Sequence, residues 1–129
     1  LAVPDSHPFA GRKEIHLEEL SNESLIWSSK NSKNLVCAAM EKEGIPNNNH
    51  FSVYSTSGDV LMQMVKQGFG LSYVASSYRA LCPDGVVLIP ISPTLNRSLG
   101  LVSKNFKKLS PSSKKPISIL KKQLKSKDL

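Results

Sequence analysis

The sequence predicts an α/β fold with a largely parallel sheet. Short apolar runs that read as strands alternate with longer stretches at helical periodicity. Glycine and proline punctuate the junctions between them. The composition also suits one globular core, with 40% hydrophobic and 21% charged residues over 129 positions.

Leu1 to Val3 is a brief apolar run closed by Pro4, and the two prolines of this segment, Pro4 and Pro8, with Gly11 keep the chain irregular. "LEELSNE" reads as a short helical turn or tight connection, and Leu25 to Trp27 as a strand. A helix follows, capped by Asn31 or Ser32, with Leu35, Val36, Ala39 and Met40 as its inward stripe and Gly44 and Pro46 as its stop. "HFSVYS" alternates with Phe51 and Val53 on one side, the pattern of a strand.

The next helix starts at Thr56 or Ser57 and turns Val60, Leu61, Met64 and Val65 inward. Asp59 suits its positive end, and Gly68 supplies the left-handed residue after it. "GLSYVAS" is a strand, "SSYRALCP" a short helix, "GVVLIPI" a strand bounded by Gly85 and Pro93, and "RSLGLVSK" one more strand. The tail reads as an amphipathic helix, with Ile117, Leu120 and Leu124 on one side and lysines opposite.

The net charge of +7 belongs to that tail. Nine lysines and one acid follow from Lys104 onward, whereas residues 1 to 103 hold eight basic and nine acidic groups. Cys37 reads as a small core residue and Cys82 as a more exposed one. With no CxxC spacing they form no disulfide framework, which favours a reduced, cytoplasmic setting. The chain opens on Leu rather than Met, so a fragment or processed product is expected.

Enzymatic signatures are missing. His7, His16 and His50 stand at no metal-ligand spacing, and there is no P-loop, nucleophile elbow or dinucleotide fingerprint. The sequence therefore predicts no catalytic residue, no metal and no cofactor. What recurs is a strand ending in small hydroxyl residues that lead into a helix: Ser28-Ser29 after "LIW", and Ser55-Thr56-Ser57 after "FSVY". Such groups cap helices, and at the carboxyl end of a parallel sheet they also suit a polar or anionic small molecule.

Three segments, in this order, resemble LysR-type transcriptional regulators. "LAVPDSHPFAGRKEIHLEELSNESLIW" is similar to that family's mid-region, "VLMQMVKQGFGLSYVASSY" to its glycine-flanked strand signature, and "VVLIPI" with "RSLGLVSKNFKKLSPSSKKPISILKKQL" to its C-terminal close. The resemblance implies an effector-sensing module shaped like a type 2 periplasmic binding protein, in which two lobes joined by hinge strands hold an inducer between them. It implies a first crossover strand at residues 1–4, the second lobe over 5–96, a return strand over 97–103 and a piece of the first lobe over 104–129. DNA would be bound only through an N-terminal helix-turn-helix outside this chain. The full-length protein would be a homo-oligomer with no membrane association.

On this resemblance the effector contacts are Trp27, Ser28, Ser29, Thr56, Phe69, Gly70 and Ser72, with Trp27 and Phe69 as apolar walls and the N–H of Gly70 close to the ligand. One departure stands out: Ala75 occupies the place of the family's usual proline. The alternative is an extracytoplasmic solute-binding protein on the same scaffold, since one fold hosts several functions.

Overall fold

The computed structural model describes residues 1–48, 52–97, 102–105 and 108–126. The chain divides into two compact units, Leu1–Asn96 and Arg97–Leu129.

In the first unit the strands are β1 (Ala2–Pro4), β2 (Ile15–His16), β3 (Leu25–Trp27), β4 (Ser52–Tyr54), β5 (Leu71–Ser72), β6 (Val86–Leu88) and β7 (Ile91–Ser92). Its helices are α1 (Lys30–Lys42) and α2 (Gly58–Lys66), with 3-10 segments at Leu17–Leu20 and Ser76–Leu81. The main sheet runs β4-β3-β5-β1-β6, while β2 and β7 pair in parallel beside it. β4 and β5 flank β3 in parallel, and β1 lies antiparallel between β5 and β6. The opening tripeptide is thus a central strand, and the sheet is mixed.

Alternation along the strands sends successive side chains to opposite faces and builds two cores. Val3, Leu25, Trp27, Leu71 and Tyr73 face one way, where Val36 and Met40 of α1 and Leu17 and Leu20 cover them. Ala2, Ile26 and Val86 face the other way, against Leu61, Met62 and Val65 of α2. Each such fully buried aliphatic contributes about 1.5–3 kcal/mol.

Several local expectations change. α1 begins at Lys30 with Ser29 as its cap, because Ser29 Oγ accepts the N–H of Ser32 at 3.1 Å and Ser32 is buried as the third helical residue. In α2 the inward stripe is Leu61, Met62 and Val65, while Val60 is 52% exposed. "GVVLIPI" is not one strand: it breaks between Leu88 and Ile91, and its halves join different sheets. Val86 to Leu88 follow β1, whereas Ile15 N–H donates to the carbonyl of Pro90 and draws Ile91 to β2. Cys37 is half-buried, with Asn47 Nδ2 donating to its sulfur at 3.3 Å. Phe51 and His50 lie outside the described residues, as does most of the expected return strand, residues 98–101.

The second unit holds α3 (Pro111–Ser126), which runs through Pro116 without a break. Pro116 removes one helical N–H donor, and Ser118 Oγ donates to the Lys115 carbonyl at 2.8 Å in the same turn. Ile119 and Leu120 are exposed. The side chain of Leu124 lies outside the described residues.

Candidate functional site

Strand order locates a crevice. From β3 the chain moves outward to β4, whereas from β5 it moves the opposite way, past β1 to β6. Connections that part in this manner leave an opening beyond the carboxyl ends of the two strands, where open α/β sheets bind ligands. Here those ends are Trp27 and Ser72, followed by Ser28-Ser29 and by Tyr73-Val74-Ala75.

The hydroxyls on this rim differ in what remains free. Ser29 and Ser32 form a closed pair: besides the cap, Ser29 N–H donates to Ser32 Oγ at 3.1 Å and Ser32 Oγ donates to the Ser29 carbonyl at 2.8 Å. Among the described residues Ser28 Oγ has a single partner, Ser32 Oγ at 3.1 Å, and Ser28 is half-buried. Because the Ser32 hydroxyl hydrogen goes to the Ser29 carbonyl, Ser28 is the donor in this pair and keeps its acceptor lone pairs, whereas Ser29 Oγ both donates and accepts. One strand over, Ser55 N–H donates to the Trp27 carbonyl at 3.0 Å, which holds the β4–α2 connection against the end of β3. Thr56 is exposed on that connection, and Ser57 caps α2 without a side-chain hydrogen bond.

Ser72 and Trp27 are placed differently from what the sequence suggests. Ser72 is fully buried, and its Oγ donates to the Ile26 carbonyl at 2.8 Å, tying β5 to β3. Trp27 is 2% exposed, and its Nε1 is buried without a hydrogen-bond partner among the described residues. Both support the rim from inside the core. Two residues that the sequence does not assign to the site stand on the rim: Tyr54, 44% exposed at the end of β4, and Ser32, expected only as a helix cap, which orients Ser28. Tyr54 was legible as the last residue of an alternating strand; Ser32 was legible only once the helix start was known.

Phe69 and Gly70 lie at the other end of the sheet. They precede β5, so they sit at its amino end beside Ser24, which precedes β3. Gly70 has φ +156, and a Cβ there would stand 2.6 Å from the Ser24 carbonyl oxygen. Leu71 N–H donates to that same carbonyl at 2.8 Å. Glycine is thus demanded by close approach of two strands. Gly68, at φ +76, closes α2, and Phe69 is 60% exposed. A notch of about 220 Å³ opens at this end, flanked by His7, Glu23 and Gly70. In it His7 Nδ1 accepts the Phe9 N–H at 3.2 Å.

Among the described residues, no group of three or more His, Cys, Asp or Glu could hold a metal ion. Cys37 lies on α1, whose inward residues join the first core; Cys82 packs on the second. Cys82 Sγ donates to the Val86 carbonyl at 3.2 Å, and burial raises its thiol above the ordinary range. The two sulfurs are therefore separated by the sheet. No helix among the described residues is long and apolar enough to cross a membrane.

A family model described as the LysR substrate binding domain matches residues 1–125. The HTH-type transcriptional regulator CysL of Bacillus subtilis (strain 168) is 32% identical over 79 residues, which cover 60% of this chain and 26% of that protein. Among solved structures, HinK, a LysR family transcriptional regulator from Pseudomonas aeruginosa, aligns with TM-score 0.60 and 30% identity over 75% of this chain and 34% of its own. The BenM effector binding domain with its effector benzoate aligns with TM-score 0.62 and 24% identity, covering 70% of this chain and 43% of that one, and shows likeness of fold.

Proposed function

The chain belongs to the LysR substrate-binding-domain family, and from that premise we propose that it is the part of a transcriptional regulator that senses a small-molecule effector. The relatives are transcriptional regulators rather than solute-binding proteins, so the extracytoplasmic alternative is set aside. The chain spans about a quarter of the length of CysL. DNA binding through a separate domain, homo-oligomerisation and a cytoplasmic location accordingly belong to this proposal for the whole protein. On the same reading Leu1–Asn96 supplies the second lobe with its crossover strand, and Arg97–Leu129 a return to the first lobe.

The observation that carries the reading is the half-buried Ser28 hydroxyl at the mouth of the β3/β5 crevice, held by Ser32 and not saturated by it. Thr56 and Tyr54 stand on the neighbouring strand end. Turned from Ser32 to a ligand, the Ser28 O–H joins the Thr56 hydroxyl and helix-start N–H groups as donors that suit a small acid, and BenM is described with benzoate. Ser29, Trp27 and Ser72 serve the site by fixing its walls. Phe69 and Gly70, at the far end of β5, act on it only through the seating of that strand.

The test uses the full-length regulator and a panel of small carboxylates that includes benzoate. An effector found by its thermal shift should lose that shift in a Ser28→Ala, Thr56→Ala variant whose ligand-free Tm is unchanged. Ser29→Ala should instead lower stability by about 1 kcal/mol, as loss of a helix cap does. A double variant that keeps the full shift would sink the assignment.

A further inference from the structure

We propose that α3 is a docking surface for duplex DNA, gripping the phosphate backbone without reading base sequence. The proposal rests on the regulator reading only in naming DNA as the polyanion at hand; the surface is argued from the chain itself.

From Arg97 onward the sequence has one arginine and nine lysines against a single acid, Asp128. Within α3 there is no carboxylate at all. At 100° per residue, Lys114, Lys115 and Lys121 fall within an arc of about 120°, and the register carries positions 122 and 125, also lysines, to the same arc. Lys114, Lys115 and Lys121 are exposed. From Lys114 to Lys125 the helix advances about 16 Å, a length over which a duplex presents about ten phosphate charges.

An ordinary solvated helix interleaves its signs, as α1 does with Glu41 beside Lys42 and α2 with Asp59 and Lys66. α3 instead sets Lys114 and Lys115 near its positive end, where cations are disfavoured, and sets lysines at positions 121 and 125, one turn apart, with no partner of opposite sign in the helix. Both features cost stability in isolation, and a polyanion along the lysine arc reverses both. The residue types decide how DNA is held. Lysine meets phosphate as a point charge; α3 has no arginine or asparagine for bidentate contact with a base edge, and its one glutamine, Gln123, falls about 80° outside the lysine arc. A lipid surface is the weaker fit, since α3 has no Trp, Phe or Tyr to sink below headgroups.

The experiment measures anisotropy of a labelled duplex of arbitrary sequence titrated with the 129-residue chain at several salt concentrations. With about five phosphates neutralised, log affinity should fall against log salt with a slope near −4.5, so Kd rises roughly 500-fold between about 50 and 200 mM. A Lys114→Gln, Lys115→Gln, Lys121→Gln variant should bind more weakly, with a slope near −2. A control with the same charge change in the first unit, Lys13→Gln, Lys30→Gln, Lys42→Gln, should keep the parental slope. Absence of salt-dependent binding overturns the proposal, and so does a control that loses as much as the α3 variant, because net charge alone would then explain the effect. Phosphatidylserine vesicles that strip the chain from duplex at equal charge would assign the surface to membranes instead. None of these results touches effector binding, which the thermal shift reads separately.

Discussion

One methyl group separates the two glycines of Gly68-Phe69-Gly70 in what they tolerate. A Cβ at Gly68 would meet nothing within 4 Å, so alanine there bears only the strain of φ +76, about 1 kcal/mol. A Cβ at Gly70 would press on the Ser24 carbonyl oxygen at 2.6 Å and on Ile26 Cγ1 at 3.2 Å. That carbonyl accepts the Leu71 N–H and cannot withdraw without opening the β3–β5 pair. We expect Gly70→Ala to destabilise by at least about 2 kcal/mol and Gly68→Ala by less, compared by urea unfolding. Equal losses would mean that the close approach is not what glycine serves at position 70. Trp27 shows the same priority of packing over polarity. Its orphaned Nε1 costs about 1–3 kcal/mol, but burying an indole of roughly 200 Å² contributes about 5 kcal/mol, so burial wins.

At the scale of elements, β1 turns the opening of the chain into an interior strand of the sheet. Leu1 and Ile89 extend its ladder with β6: the Leu1 nitrogen donates to the Ile89 carbonyl at 2.6 Å, and Ile89 N–H donates back at 2.9 Å. The sequence made β3, β4, α1 and α2 legible because burial on one face writes itself as periodicity. It could not show the break at Ile89-Pro90, since an apolar run reads alike whether it serves one sheet or two. Nor could three apolar residues at the start declare a central strand, because that position is set by partners about seventy and eighty-five positions away. The site divides similarly. Ser28, Ser29 and Thr56 leave strands toward helices, which places them at the carboxyl rim proposed for the effector. Phe69 and Gly70 enter a strand, and entry places them at the other rim.

At the scale of the whole chain, the two units differ in how much of each is protected. The first wraps buried residues on both faces of its sheet, from Leu1 to Ile91. In the second no described residue is buried, and Val102 is 97% exposed. α3 is 16 residues long and carries Pro116, a residue that costs about 3 kcal/mol inside a helix, so its own helicity is marginal. Protease cleavage of a native protein follows local opening, and opening is least costly where few apolar groups are covered. Trypsin has sites in both units, but Lys33 lies in α1, whose Val36 and Met40 are sealed against the first core. Arg12, in the loop before β2, is held by Glu19 through contacts of 3.0 and 3.2 Å. Early digestion should therefore trim the second unit and leave a product that begins at Leu1 and ends between Arg97 and Lys108, followed by intact mass over time. Duplex DNA bound along the lysine arc should slow this trimming at low salt and lose that effect at high salt, whereas an effector seated at the Ser28 rim should leave it unchanged. If the earliest cuts fall within α1, the first unit is not the stable body that its two cores imply.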